Sequence, residues 1–327
     1  MDLLSIFALP YLPMLGYLVL AIVSVYLIYR RLRPSVKLPP GPRAWPIIGN
    51  LNLMGKLPHR SLDRLSKTHG PLMYIRLGSI PCVVASSAEM AREFLQTHDL
   101  TFSSRPQVAS GKYTTYNYSD ITWSPYGEYF RLARKVCLME LFSAKRLESF
   151  EYIRVEEVAR MLGSVFETCE RGLPVEIRKE TYGVSNNIIS RMALGRRYFD
   201  KEAGNKMRLE EMKEMLEEFF LLNGVFNIVD FIPWLGWLDL QGYVGRMKKL
   251  SERLDVFLEE VVEEHDRRRK GVENYVAKDM MDVLLKQADD PQLNLSRIKV
   301  KAFTLACTYN FSHLRALSWC YQSFLVL

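Results

Sequence analysis

RMKKLSERLDVFLEEVVEEHDRRRK, residues 246–270, repeats apolar side chains at helical spacing. Met247, Leu250, Leu254, Phe257, Leu258, Val261 and Val262 fall on one stripe, and charged residues fill the rest of the circumference. This is the pattern of an amphipathic helix with one buried face and one solvated face. The same period continues outward from it. GVSNNIISRMALG, residues 183–195, is apolar nearly all round and predicts a core helix. LESFEYIRVEEVARMLGSVFETC, residues 147–169, predicts another, with Phe150, Ile153, Val158 and Leu162 at its apolar positions. GEYFRLARKVCLMELF predicts a third from Gly127. The period changes to two in PLMYIRLGSIPCVVAS, residues 71–86, where β-branched residues alternate around Gly78-Ser79. Two short paired strands near 72–77 and 81–85 follow, then a helix over 88–96 capped by Ser86 or Ser87. The fold class is mainly α with a small β-sheet.

The amino end has a different character. From Leu3 to Tyr29 there is no charged residue and no histidine, and MLGYLVLAIVSVYLIY, residues 14–29, is its densest part. A helix from Pro13 to Tyr29 rises ~25 Å at 1.5 Å per residue, close to the hydrocarbon thickness of a bilayer. Arg30, Arg31, Arg33, Lys37 and Arg43 follow the span, which places the bulk of the chain on the cytosolic side. Basic residues before the apolar run and a small-residue cleavage site, the marks of a removed signal peptide, are missing. Residues 1–29 are therefore expected to be a transmembrane anchor. Residues 30–50, with five prolines, are expected to be a stiff, extended, basic strap.

Composition closes other routes. The 327 residues carry 44 Lys plus Arg against 37 Asp plus Glu, a net charge of +7. The five basic residues around the anchor, against Asp2 alone, account for +4 of it. The excess is thus a flank of one segment rather than a nucleic-acid-binding face. An apolar fraction of 48% excludes a disordered chain. Five Cys, an odd number, exclude a disulfide scaffold, and no Cys/His cluster has zinc-ligand spacing, so no metal is assigned. On the cytosolic side the thiols are expected to be reduced and mostly buried.

Several stretches stand in a familiar order: the anchor, PPGPRAWPIIGN at 39–50, the strand pair and its helix, FSSRP at 102–106, and SPYGEYFRLARK at 124–135. FIPWLGWLDLQGYVGRMKKL, residues 231–250, and AKDMMDVLLKQADDPQLNLSRIKVKAFT, residues 277–304, follow. Together they resemble a plant microsomal cytochrome P450 of the flavonoid hydroxylase or terpenoid-modifying type, over residues 1–304. The resemblance implies a haem-thiolate monooxygenase of the endoplasmic reticulum membrane, crossing it once with most of the chain cytosolic. It implies electrons from an NADPH-cytochrome P450 reductase, dioxygen activation on iron, and hydroxylation of a small apolar or phenolic substrate, with no nucleic-acid partner. In that family a Trp-x-x-x-Arg pattern holds a haem propionate, and its positions here are Phe130 and Arg134. Arginine keeps a planar fork of donors for a carboxylate, whereas phenylalanine has lost the indole N–H.

The chain departs from the family past Thr304. Where the family's oxygen-activating helix carries an Ala-Gly-Gly-Thr-acid-hydroxyl run, this chain has Tyr309, Asn310, Phe311, Ser312, His313 and Leu314. Residues 305–327 are expected to be a divergent tail. The Glu-x-x-Arg pair and the Cys-ligand loop of the family are not found, and none of the five Cys has that loop's context. The expectation is a P450 fold lacking its carboxy-terminal haem-binding half, with no catalytic residue assigned and haem not competently bound. The alternative function is a membrane-anchored, non-catalytic binding protein.

Overall fold

The computed structural model describes residues 37–55, 57–198, 209–290 and 295–312, together with residues 17, 18, 20, 21, 24 and 25. Met1–Pro39 forms one compact unit and Pro40–Leu327 a second. In the first, the described residues between 17 and 25 are helical and exposed. Among the described residues no helix is long and apolar enough to cross a membrane, and most of the expected anchor lies outside them.

Among its described residues the second unit is helical apart from one hairpin and the loops between elements. Its elements begin with α1 (Pro58–His69), β1 (Leu72–Leu77) and β2 (Ile80–Ala85). Next come α2 (Ala88–Arg92), α3 (Asp99–Phe102), α4 (Ala109–Thr114), α5 (Glu128–Val136) and α6 (Ala144–Ser149). The longer helices follow: α7 (Glu151–Glu170), α8 (Ile177–Leu194), α9 (Leu209–Gly224), the short α10 (Ile228–Phe231) and α11 (Tyr243–Arg269). α12 (Met280–Ala288) and α13 (Arg297–Ser312) complete the series. Both α2 and α5 run on through a wider, π-type turn, to Thr97 and Leu141 respectively. The Ser87 hydroxyl accepts from Met90 N at 3.2 Å and starts α2, which decides between the two serines the sequence offers as cap.

β1 and β2 pair antiparallel from Leu72↔Ala85 to Leu77↔Ile80 across the Gly78-Ser79 turn. Met73, Ile75 and Leu77 alternate inward with Cys82 and Val84 to form a small core of their own. The strap does not stay extended. Its chain doubles back at Trp45–Gly49, where the two backbones exchange hydrogen bonds of 2.8 and 3.0 Å. Gly49 then bridges to Leu77, so the loop seals the free edge of β1. The glycines of PPGPRAWPIIGN make this possible. A Cβ on Gly41 would lie 1.8 Å from Tyr74 O, and one on Gly49, whose φ is +61°, 2.1 Å from Arg76 O. Asn50 completes the lock: its Oδ1 accepts from Arg76 N at 2.8 Å and its Nδ2 donates to Arg43 O at 3.1 Å.

The main core lies among α5, α8, α9, α11, α12 and α13. All seven residues of the predicted α11 stripe are buried. α8 buries Ile189, Met192, Ala193 and Leu194, as expected of a core helix. The stretch 147–169 differs from its expectation in two ways. It breaks at Phe150, whose buried side chain separates α6 from α7. Phe150 and Ile153 point inward, but Val158 is 40% and Leu162 59% exposed. The inward position that follows Phe150 and Ile153 on this face is Glu157, which is 2% exposed. Its Oε1 accepts from Arg191 Nη1 and Arg197 Nε at 2.6 Å each. A paired carboxylate thus occupies a site where hydrophobic periodicity alone predicts an apolar residue.

Candidate functional site

The two helices to which the family resemblance assigns cofactor contacts, α5 and α13, pack against each other. Tyr129 meets Phe303 edge to face at 6.3 Å, and Lys299 lies 4.7 Å from the centre of the Tyr129 ring. The first turns of α13 are buried without a break from Val300 to Cys307. Lys301 is tolerated there because Asp255 Oδ1 at 2.5 Å and Glu259 Oε2 at 2.6 Å take its charge. Thr304 returns its hydroxyl to Val300 O at 2.9 Å. The helix continues to Ser312. The side chains of Tyr309 to Ser312, and His313 and Leu314 altogether, lie outside the described residues.

α5 has two faces. Ala133, Val136 and Cys137 are buried in the core. Phe130 and Arg134, spaced by four, share the other face. The Tyr126 and Phe130 rings touch at 5.8 Å, Phe130 is half-buried, and Arg134 is exposed. Among the described residues Arg134 has no ion pair or hydrogen-bond acceptor. Arg131 is committed elsewhere, over the Tyr126 ring at 5.9 Å. Phe130 and Arg134 are therefore brought together on one face, with the guanidinium open to a carboxylate and an aromatic ring beside it. A haem propionate fits that donor set.

The iron end of such a group does not fit the cysteines described. Cys82 lies in the hairpin core, where burial pushes its thiol up to about 11. Cys137 and Cys307 are both buried; the hydrogen bond to Cys137, with burial adding to it, holds the Cys307 thiol well above its ordinary range. The same bond lowers Cys137. Cys169 is exposed on α7, and Cys320 lies outside the described residues. Among the described residues no thiol sits in a loop of backbone donors that would stabilise a metal-bound thiolate.

Two features escape sequence reasoning. Arg105, within FSSRP, is partly buried; burial lowers its pKa, and no carboxylate among the described residues pairs with it. The second is a buried group of His265, Asp279 and Asp282, whose ligating atoms lie within 4.8 Å of one another. No metal is needed to hold it together. His265 Nδ1 meets Val261 O at 2.7 Å, and its Nε2 meets Asp279 Oδ2 at 3.0 Å. The Asp282 Oδ2 accepts from Tyr275 OH at 2.9 Å and from Lys278 N at 3.0 Å. Arg268 also approaches Asp279 Oδ2, at 3.4 Å. The network ties the end of α11 to the start of α12. Its only sequence sign is a histidine in line with the apolar stripe.

Comparison with known proteins accounts for the arrangement. The family model of cytochrome P450 matches residues 39–308. A flavonoid 3'-monooxygenase of Crocosmia x crocosmiiflora is 43% identical over 88% of this chain and 56% of its own length. Trimethyltridecatetraene synthase of Zea mays is 42% identical over 86% of this chain and 55% of its own. Strychnine-11-hydroxylase of Strychnos nux-vomica is 44% identical over 80% of this chain and 51% of its own. The chain spans about half the length of the curated relatives it matches. With the match running from the proline-rich strap to the buried start of α13, the chain belongs to the cytochrome P450 family.

Proposed function

We propose that this chain forms the membrane-facing and propionate-anchoring part of a plant haem-thiolate monooxygenase of the endoplasmic reticulum. Its reductant comes from an NADPH-dependent reductase, and its substrate is a small apolar or phenolic metabolite. The observation that carries this proposal is the shared face of Phe130 and Arg134 on a helix packed against α13, within a chain of this family. When bound, haem supplies dioxygen activation and the insertion of one oxygen atom. The chain's own part is to neutralise a propionate through the exposed Arg134, with the partly buried Arg105 as a second cation, and to cover the porphyrin edge with the Phe130 ring.

The proposed membrane face comes from three loops that meet at the hairpin turn. Gly78 N donates to Ile48 O at 3.0 Å on one side, and Ser79 N and Oγ each reach Phe231 O at 2.8 Å on the other. Trp45 and Ile47 project from the first loop, and Trp234, Trp237 and Leu240 from the chain following Phe231, all of them exposed. Exposed tryptophans with aliphatic neighbours suit the headgroup layer.

A second reading is favoured by the surroundings of the cysteines: as this polypeptide alone, the chain is a non-catalytic binding protein. The experiment is the reduced, CO-treated spectrum of the purified chain reconstituted with hemin. Hemin retention that falls in Arg134→Leu, without a thiolate-type Soret band, is expected. A thiolate-type band would sink the non-catalytic reading, and retention unaffected by Arg134→Leu would sink the propionate assignment.

A further inference from the structure

The apolar positions of α7 that its sequence pattern places inside lie outside. Val155, Ala159, Leu162, Phe166 and Cys169 recur at alternating steps of four and three, the seven-residue spacing of a helix–helix seam. All five are exposed, Val155 by 62% and Phe166 by 64%. Val158 and Gly163 flank the seam, and a Cβ on Gly163 would meet nothing within 4 Å. Tyr152 begins the series one step earlier, with the Arg191 guanidinium over its ring at 5.9 Å. Leu173, just past the helix end, is exposed as well.

The opposite side of α7 is committed to the body of the protein. Ile153 is buried there, and the buried Glu157 is held by Arg191 and Arg197. The helix therefore cannot roll its apolar seam inward without breaking that ion network. Together the outward side chains expose roughly 600 Å² of apolar surface, the upper end of what a monomer's largest patch reaches and near the ~800 Å² per partner of a stable interface.

We infer that α7 pairs antiparallel with α7 of a second copy of this chain. A two-fold interface needs one patch that complements itself. This seam does so about an axis between Arg160 and Met161. Ala159 then lies opposite Leu162 of the second copy, Val155 opposite its Phe166, and Cys169 opposite its Tyr152, so each layer sets a smaller side chain against a larger one. On the flanks Val158 comes beside Val165 and Glu156 beside Gly163, so no like charges meet. Parallel pairing would set Ala159 against Ala159 and bring Glu151 beside Glu156, leaving a gap and a repulsion. The face uses none of the groups assigned to the porphyrin or the membrane, so its test is separate from theirs.

Sedimentation equilibrium of the full chain in density-matched detergent is expected to give a dimer with a dissociation constant of about 1–10 µM. Leu162→Glu and Phe166→Glu, at positions already in water in the monomer, each weaken it at least about thirtyfold with unchanged far-UV circular dichroism. Leu100→Glu, at an exposed apolar residue of α3, leaves the dimer unchanged. A nitroxide on Cys169, with Cys320→Ser as background and Cys82, Cys137 and Cys307 buried, reads the direction of pairing. The Tyr152–Cys169 span at 1.5 Å per residue separates the two labelled backbones by ~26 Å along the axis in the antiparallel pair, against ~10 Å in a parallel one. A monomer at about 100 µM, which would leave this face to a different chain, a dimer untouched by Leu162→Glu, or a label separation of ~10 Å would overturn the assignment.

Discussion

Replacing Asn50 by alanine tests whether the strap is locked to the hairpin by chemistry that can be named. Asn50 is fully buried. Its side chain alone satisfies Arg76 N–H, at 2.8 Å, and gives Arg43 O a donor at 3.1 Å. Alanine removes both bonds and leaves room for no replacement donor from the hydrophobic hairpin core. An orphaned buried amide costs about 1–3 kcal/mol and the second lost bond about 1 kcal/mol, together about 2–4 kcal/mol. That cost falls on the opening of the strap rather than on the whole domain, because α5 to α13 make their own core. Amide exchange of the 72–77 peptide, read by mass spectrometry, should accelerate about 30- to 900-fold, since about 1.4 kcal/mol is a factor of ten. The exposed neighbour Asn52, changed to alanine, is the control and should alter exchange less than about twofold. If Asn50→Ala leaves the exchange of this peptide within about threefold of the parent, the lock is not what holds the strap.

Four further outcomes follow from other sites. Asp230 is largely buried and accepts from Ala109 N at 2.6 Å, and burial raises its pKa from 3.8 to about 6. A carboxyl raised in the folded state favours folding below pH ~4 and loses that contribution as pH rises through ~6. Asp230→Asn should therefore be about 1–3 kcal/mol more stable than the parent at pH 7.5 in urea unfolding, with the advantage gone near pH 4; an advantage that grows on acidification would contradict this. Phe303→Ala empties a fully buried site facing Tyr129 and should cost about 3–5 kcal/mol, read as a lower urea midpoint at unchanged slope. Glu157→Gln strands Arg191 and Arg197, which are partly exposed and retain Glu156, so the loss should be nearer 2–3 kcal/mol, and a neutral result would show the triad to be dispensable. Brominated lipid should quench Trp234 and Trp237 emission, and Trp237→Phe should remove part of the quenched signal while buried Trp123 stays unquenched.

How much of this could be read beforehand depended on whether apolar side chains carry the information. The α11 stripe, the hairpin about Gly78-Ser79 and a serine cap at 86 or 87 were all legible, because each follows from a period or from one side chain bonding a nearby amide. Phe130 and Arg134 sharing a face was legible as well, since four residues is one helical turn. The fold-back at Trp45–Gly49 was not, because prolines restrict φ locally but do not reveal that Asn50 finds Arg76 twenty-six residues away. The inward Glu157 was missed for a related reason: a buried charge can be recognised only through partners on α8 and the residues after it.

The same reasoning explains why α11 was only half understood from its sequence. Its apolar stripe announces where the core lies, but a charged face looks identical whether it meets bulk water, a neighbouring helix or a cavity. His265 continues the buried side and is spent on Asp279. Asp255 and Glu259 are spent on Lys301, which could not otherwise enter the buried start of α13. Lys248 and Glu252, on the same helix, have no ion pair among the described residues, and the Lys248 ammonium rests over the Tyr113 ring, 5.4 Å from its centre. One helix thus serves three environments, and the partner each charge finds, rather than the charge itself, decides whether it stabilises the fold or stays at the surface.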